Sequence, residues 1–113
     1  MRTWVTQLRK GLVEFCVLKV LSRGESYGYQ IVQSLRVLEE LTVTESTVYA
    51  VLTRLGKDGC LQVRAAPSPD GPPRRYFSLT ALGRRRLTEM NAYWNDLVAA
   101  IDLLGDREMG NGK

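Results

Sequence analysis

The arginines in the second half of this sequence are its most distinctive chemical feature. Residues 64–86 hold six arginines against one acidic side chain, Asp70, which gives this stretch a net charge of +5. The guanidinium group presents its N–H donors in a planar fork that fits the oxygens of a phosphate. The cluster therefore favours contact with a polyanion, although a solvated face that maintains solubility explains the same charges. The six residues are Arg64, Arg74, Arg75, Arg84, Arg85 and Arg86.

Side chains suited to catalysis or metal binding are scarce. The sequence has no histidine, which removes the commonest general base and the commonest zinc ligand. The two cysteines, Cys16 and Cys60, lie far apart within apolar patterns, so we interpret them as buried free thiols of a reducing compartment. We therefore predict no catalytic residues, no metal site and no cofactor. Binding is the favoured function, and a small enzyme is the disfavoured alternative.

The composition is that of one soluble domain. The chain has 113 residues, of which 44% are hydrophobic and 25% charged, with a net charge of +4. This length allows one domain with a helical appendage. No apolar run approaches the roughly 18 residues of a membrane span, and the N-terminus lacks the apolar stretch of an export signal. We expect a cytoplasmic protein with no membrane partner.

Apolar periodicity predicts two helices in the first third of the chain. The first has apolar residues at steps of four and three, namely Leu8, Leu12, Phe15, Leu18 and Leu21. Gly24 is expected to end it as a left-handed cap. Ser26 is the candidate N-cap of the second helix, whose apolar face carries Ile31, Leu35 and Leu38.

A third helix is predicted from Ser46 to Asp58, with Thr42 and Thr44 as alternative N-caps and Gly59 as its end. Its core face is one narrow arc formed by Val48, Val51, Leu52 and Leu55. The opposite arc carries Ser46, Ala50, Thr53 and Lys57, flanked by Tyr49, Thr47 and Arg54. An outer face of small, hydroxyl and cationic side chains is suited to entering a DNA groove.

A change of period after Gly59 indicates a β-hairpin. Leu61 and Val63 alternate with polar residues, and residues 74–79 alternate again. The intervening residues 65–73 contain all four prolines of the chain. We therefore predict an extended, irregular loop that protrudes at the hairpin tip.

The last predicted helix begins after Thr80, its candidate N-cap, and ends at Gly105. Its apolar residues alternate between steps of three and four, which is the seam of a coiled coil. The seam consists of Leu87, Met90, Trp94, Leu97, Ile101 and Leu104. We expect this helix to pair with its copy in a homodimer and also to pack on the first helix.

The predicted fold is mainly α with a small β-hairpin, in the order α-α-α-β-β-α of a winged helix-turn-helix. Residues 1–79 form the winged-helix DNA-binding domain, residues 80–105 the long C-terminal dimerisation helix, and residues 106–113 a disordered tail. In this fold the third helix enters the major groove of double-stranded DNA and the hairpin is the wing. The alternative function is a winged-helix interaction module whose basic hairpin contacts an acidic protein partner.

Four stretches of sequence carry a resemblance to a known family. They are GLVEFCVL at residues 11–18, SYGYQI at 26–31, STVYAVLTRL at 46–55 and RYFSLTALG at 75–83. In this order and spacing they resemble PadR-like transcriptional regulators. The single long C-terminal helix resembles the subgroup whose C-terminal region is short and consists of one helix. The resemblance implies a dimeric transcription factor, usually a repressor that binds a palindromic operator. It also implies a possible small aromatic effector, because some relatives hold phenolic acids or planar drugs near the dimer axis.

The candidate DNA-binding residues come from the third helix, the hairpin and the resemblance. The residue pattern assigns Ser46, Thr47, Tyr49, Ala50, Thr53, Arg54, Lys57, Arg74 and Arg75. The resemblance adds Tyr27 and Gly28, where the second helix approaches the DNA backbone. For Tyr27 and Tyr49 a half-buried packing role is the alternative, and Gly28 is also explained by a close crossing of two helices.

The candidate dimer interface combines the seam of the last helix with two residues of the first helix, Leu8 and Phe15. Three aromatic residues, Trp4, Phe15 and Trp94, are either interface core or the wall of an effector cavity. A two-fold dimer places its two recognition helices about 34 Å apart, which predicts an inverted-repeat operator.

Overall fold

The computed structural model describes residues 3–38 and 43–111. Its elements are α1 (Thr3–Leu21), β1 (Ser26–Tyr27), α2 (Gly28–Arg36), α3 (Glu45–Lys57), β2 (Leu61–Ser68), β3 (Gly71–Leu79) and α4 (Ala81–Asn111). The strands form one antiparallel sheet in the order β1-β3-β2. The predicted winged helix-turn-helix with a long C-terminal helix is confirmed.

The apolar faces of α1, α2 and α3 meet in a single core, which the hairpin closes from one side. The predicted core face of α3 is confirmed, because Val48, Val51, Leu52 and Leu55 are all buried. The face predicted for α2 is partly wrong. Ile31 and Leu35 are buried, but Leu38 lies beyond the end of the helix and is 46% exposed.

The turn between α1 and α2 differs from the prediction. Ser26 is not an N-cap, because its backbone is paired with Phe77 of β3 in the short strand β1. Tyr27 is the N-cap instead, and its N–H donates to Oε1 of Gln30 at 3.2 Å. Gly24 has a φ of 143°, a positive value that suits glycine but lies far from the roughly 57° of a left-handed helical cap.

Both ends of α3 are capped as the sequence indicates. Thr44 is the N-cap, and its Oγ1 accepts a hydrogen bond from the Thr47 N–H at 3.3 Å. Thr42, the alternative cap, lies outside the described residues. At the C-terminal end, Gly59 has a φ of 78°, and its N–H donates to the Gly56 carbonyl at 3.1 Å. These caps fix the length of the helix that carries most of the candidate site.

The hairpin is longer and more regular than predicted. Residues 65–73 are not a loop, because β2 and β3 continue through them and only Pro69 and Asp70 connect the strands. The register pairs Ala66 with Arg74 and Ser68 with Gly71, so three of the prolines fall at the irregularity between these pairs. Proline lacks an N–H and is tolerated in an edge strand or a bulge.

The start of α4 is fixed against the turn that follows α3. Thr80 is confirmed as the cap residue, since its Oγ1 accepts from the Gly83 N–H at 3.1 Å and donates to the Gly59 carbonyl at 2.7 Å. A Cβ on Gly83 would collide with the backbone carbonyl of Cys60. Close backbone packing therefore joins the start of α4 to the turn between α3 and β2 at this point.

The prediction that α4 ends at Gly105 is wrong, because the helix continues to Asn111. A glycine inside a helix costs only about 1 kcal/mol relative to alanine, which does not end a long helix by itself. Most of the segment predicted as a tail is thus helical, and residues 112 and 113 lie outside the described residues.

Both cysteines are free thiols in the part of the chain that the structure describes. Cys60 is fully buried, whereas Cys16 is only half-buried. Burial raises the pKa of the Cys16 thiol, which keeps it protonated and weakly reactive. None of the described helices combines the length and apolar content of a membrane span.

Candidate nucleic-acid interface

The outer face of α3 is open to solvent along its length. Ser46, Ala50, Thr53 and Lys57 are all exposed, while the opposite face of the helix is buried in the core. The Thr53 hydroxyl donates to the Tyr49 carbonyl at 2.9 Å, which directs its lone pairs outward. The described chain therefore leaves the predicted recognition surface uncovered.

A groove of about 730 Å³ lies between α2, α3 and the hairpin of β2 and β3, and we call it the wing groove. Its helical side includes Tyr49, Thr53 and Gly56, and its hairpin side includes Arg74 and Arg75. Residues separated by about twenty positions in sequence thus face a single concave surface. The complete lining is Tyr27, Gly28, Tyr29, Tyr49, Leu52, Thr53, Gly56, Val63, Pro73, Arg74, Arg75 and Phe77.

Tyr49 of α3 packs on Gly28 of α2 in the lining of the wing groove. Gly28 is buried, and a Cβ at this position would lie 2.5–2.8 Å from three atoms of the Tyr49 ring. Gly28 therefore makes room for Tyr49, as the close-crossing alternative requires. The Tyr49 side chain remains 41% exposed, so one edge of its ring faces the groove.

Arg54 differs from the other candidates because it is held by an ion pair. Its Nη2 donates to Oε1 of Glu14 in α1 at 2.8 Å. Arg86 of α4 joins the same cluster, with its Nη1 at 3.6 Å from Oε2 of Glu14 and at 3.1 Å from Oδ2 of Asp58. Hydrogen bonding to Asp58 raises the pKa of Arg86. Arg54 thus links α3 to α1 and, through Glu14, to α4, a role that periodicity did not reveal.

Arg64 is also paired within the chain. Its Nε and Nη2 donate to the two carboxylate oxygens of Glu25 at 2.9 and 2.7 Å. The guanidinium carbon lies 4.9 Å from the centroid of the Tyr76 ring. A bidentate pair of this kind neutralises one of the six clustered arginines. Arg75, on the neighbouring strand, is exposed to solvent as well.

The pairing has a measurable consequence for the pKa of Glu25. The hydrogen bonds and charge of Arg64 lower this pKa below its ordinary value. Because the folded-state pKa is lowered, the pair stabilises the fold above the ordinary carboxyl pKa, and the contribution is lost as pH falls through the lowered value. In an NMR titration we expect R64A to raise the Glu25 pKa to its ordinary range, whereas R36A leaves it unchanged. A wild-type Glu25 that titrates normally would contradict the bidentate geometry.

A second groove, of about 540 Å³, separates α1 from α4 and has an almost entirely apolar lining. Its lining residues are Gly11, Leu12, Phe15, Glu89, Met90, Tyr93, Trp94 and Leu97. The Phe15 and Trp94 rings, both candidate effector contacts, have centroids 6.1 Å apart at an angle of 56°. Trp4, the third candidate, lies outside this lining. We refer to this space as the helical groove.

The candidate dimer residues separate into two groups. Leu87 and Met90 pack partly against the core, and Phe15 is buried within its own chain. The remaining members are exposed and form an apolar stripe on α4 together with Leu8 on α1. They are Trp94, Leu97, Ile101 and Leu104, with Ile101 56% and Leu104 66% exposed.

Comparison with known proteins places this architecture in a family. Residues 17–89 match the profile of the transcriptional regulator PadR-like family. The chain belongs to the PadR-like family of transcriptional regulators. The predicted family is therefore confirmed, and the match runs from the end of α1 through α2, α3 and the hairpin to the start of α4. No cluster of three or more potential metal ligands occurs among the described residues of this PadR-like chain.

Solved structures of other regulators resemble this PadR-like chain closely. A PadR-like transcription factor from Bacteroides fragilis is 36% identical, with a TM-score of 0.76 over 88% of this chain and 95% of its own. A PadR family regulator from Eggerthella lenta is 31% identical, with a TM-score of 0.80 over 90% and 88%. Bacillus subtilis PadR, solved in complex with operator DNA, shares the fold at 21% identity. Its TM-score is 0.65 over 70% of this chain and 46% of its own.

Proposed function

We propose that this regulator is a homodimeric repressor that binds an inverted-repeat operator in double-stranded DNA. The observation that carries the proposal is the wing groove, where the open face of α3 and two hairpin arginines border one concave surface. Family members are DNA-binding transcription factors without enzymatic activity. The operator complex of the B. subtilis relative supports the same use of the fold.

The proposed contacts divide into residues that position the DNA and residues that read its bases. Arg74, Arg75 and Lys57 carry the charge that suits phosphate oxygens. Ala50 and Thr53 lie on the exposed arc of α3, where short side chains allow the helix to approach base edges. With 13 residues, α3 is about 20 Å long, enough to lie across the major groove.

Operator binding is best tested by titrating the protein against a duplex from its own upstream region at several salt concentrations. With roughly six to eight phosphate contacts, log affinity should fall against log salt with a slope of about −5 to −7. A shuffled duplex of equal length is the control and should bind much more weakly. A flat salt dependence, or equal binding to both duplexes, would instead favour an acidic protein partner.

The partner proposed for the apolar stripe of α4 is a second copy of the chain. Its residues follow the spacing of a coiled-coil seam, and Leu8 and the helical groove extend the apolar surface onto α1. Large apolar patches that remain exposed in one chain mark interaction sites. The pairing would bring two copies of α3 to the same side of one DNA duplex.

Replacing Ile101 and Leu104 together by aspartate should convert the dimer to a monomer. Both side chains are exposed and outside the core, so the winged-helix fold should remain intact. Sedimentation velocity measures the mass, and circular dichroism reports the fold. D102N, on an exposed position of the same helix, is the matched control and should remain dimeric. A double variant that stays dimeric would show that this stripe is not the interface.

The helical groove is the proposed effector site. Its apolar lining and the tilted Phe15–Trp94 pair suit a planar aromatic molecule. Because the groove borders the proposed dimer seam, a ligand there would change the spacing of the two recognition helices. We expect this change to release the protein from its operator. Footprinting of the inverted repeat with and without planar aromatic compounds tests the expectation. Unchanged protection at saturating ligand would count against an effector at this groove.

A further inference from the structure

The outer face of the hairpin carries a row of aromatic and cationic side chains in direct contact. Tyr27 of β1 is the register partner of Tyr76 of β3, which is in turn the partner of Arg64 of β2. The Tyr27 and Tyr76 rings meet edge to face, with centroids 5.5 Å apart and an interplanar angle of 68°. Side chains from all three strands therefore form one continuous row.

Arg74 lies at one end of this row. It precedes Tyr76 by two residues on β3, so both side chains leave the same face of the sheet. The guanidinium carbon of Arg74 is 4.4 Å from the centroid of the Tyr27 ring, within the range of a cation–π contact. Stacking on an aromatic face restricts the rotamers of a long side chain that is otherwise mobile in solvent.

The other two arginines of the hairpin are in different situations. Arg64 is held by both carboxylate oxygens of Glu25, so its charge is paired and two of its N–H donors are used within the chain. Arg75 also lines the wing groove, but its side chain leaves the face of β3 opposite to that of Arg74 and Tyr76. Arg74 is thus the hairpin arginine that both lines the wing groove and is oriented by contact with the Tyr27 ring.

We propose that Tyr27 and Tyr76 are positioning residues that orient Arg74 toward a DNA phosphate. Tyr27 supplies the ring face on which the guanidinium rests, and Tyr76 supports that ring from the side. This inference rests on the proposed function and assigns Tyr27 a role through its ring rather than through its hydroxyl. The hydroxyl is therefore dispensable, whereas the aromatic face is required.

The test compares two substitutions of Tyr27 in the full-length protein, with the slope of log affinity against log salt as the readout. Y27L removes the ring, so it should weaken operator binding about two- to five-fold at low salt. The slope should also become shallower by up to about 0.9, the value of one phosphate contact. Y27F keeps the ring and should retain both the affinity and the slope. Partial unfolding of a variant lowers the active fraction but leaves the slope unchanged.

A double-mutant cycle with Arg74 completes the test. If Tyr27 acts through Arg74, then Y27L should add nothing to the loss caused by R74A. Y76L should produce a smaller change in the same direction. Additive losses, an unchanged slope in Y27L, or a Y27F variant as weak as Y27L would each overturn the positioning role. A wild-type protein that does not bind DNA would overturn the proposed function itself, which distinguishes the two failures.

Discussion

Replacing Gly83 by alanine should lower the free energy of unfolding by about 3 kcal/mol, the upper part of the range for overpacked sites. The new Cβ would collide with the backbone carbonyl of Cys60 and would lie 3.3 Å from a methyl group of Leu79. A backbone obstacle cannot rotate away, and the Cys60 carbonyl also accepts the Thr80 N–H at 3.0 Å. The start of α4 would have to move, with the loss of that hydrogen bond.

Thermal unfolding measures this effect, with an expected fall in Tm on the order of 10 °C. The matched control is G56A, because Gly56 is also helical but nothing lies within 4 Å of its added Cβ. That substitution should instead stabilise the fold by up to about 1 kcal/mol, since alanine favours the helix. Equal Tm values for the two variants would show that α4 is not packed tightly on the turn after α3.

Removing Arg74 and Arg75 together should weaken binding to every duplex by a similar factor. Each lost phosphate contact makes the salt slope shallower by about 0.9, so two contacts correspond to roughly 50-fold weaker binding in 0.1 M salt. The effect should not depend on sequence, because phosphates are the same at every base pair. Fluorescence anisotropy with the operator and with a shuffled duplex measures both the loss and its uniformity.

The control removes the same charge from elsewhere in the arginine cluster. Arg84 and Arg85 are exposed on α4 and are not part of the wing groove, so R84A/R85A should leave the salt slope nearly unchanged. Substitution of Ala50 or Thr53 should, in contrast, alter the preference among sequences. If the two arginine pairs behaved alike, net charge rather than the groove would explain the affinity.

The helices were predictable because each buries one face, and burial of one face leaves a period in the sequence. The spacing from Val48 to Leu55 identified the core side of α3, and the threonines before α3 and α4 identified caps that the structure contains. The end of α4 was not predictable in the same way. Gly105 marks a possible helix end, but a local preference of about 1 kcal/mol does not decide the conformation of a long helix.

The sheet was harder to predict because the effect of a residue such as proline depends on where in the sheet it lies, which the sequence alone does not give. A proline-rich segment indicates a loop when its neighbours are unknown, yet the strands continue through residues 65–73 because the prolines fall where no ladder hydrogen bond is needed. The strand β1 has only two residues, too few to show the alternation of apolar and polar side chains that marks a strand. Its existence depends on pairing with Tyr76 and Phe77, about fifty positions away.

The candidate site was predicted in its location but not in its internal contacts. Residue types and helical periodicity predicted the outer face of α3, and the winged-helix order of elements predicted that the hairpin arginines lie near it. In the structure, both border the wing groove. The pairing of Arg54 with Glu14, and of Arg64 with Glu25, joins residues 40 and 39 positions apart. Contacts between distant residues leave no periodic pattern in a single sequence. An arginine that is paired within the chain therefore cannot be distinguished, from the sequence, from one that is free to contact another molecule.

The order of the strands has a consequence for how the protein behaves at high concentration. On one side of the sheet, β1 covers only two residues of β3, and the uncovered start of β3 carries Pro72 and Pro73, which lack an N–H. The other edge is β2, whose register is interrupted beside Pro67. Neither edge is a long, flat template to which a strand from another molecule can add. Self-association through cross-β stacking is therefore disfavoured, and molecules that crowd together should meet through their helices rather than polymerise through the hairpin.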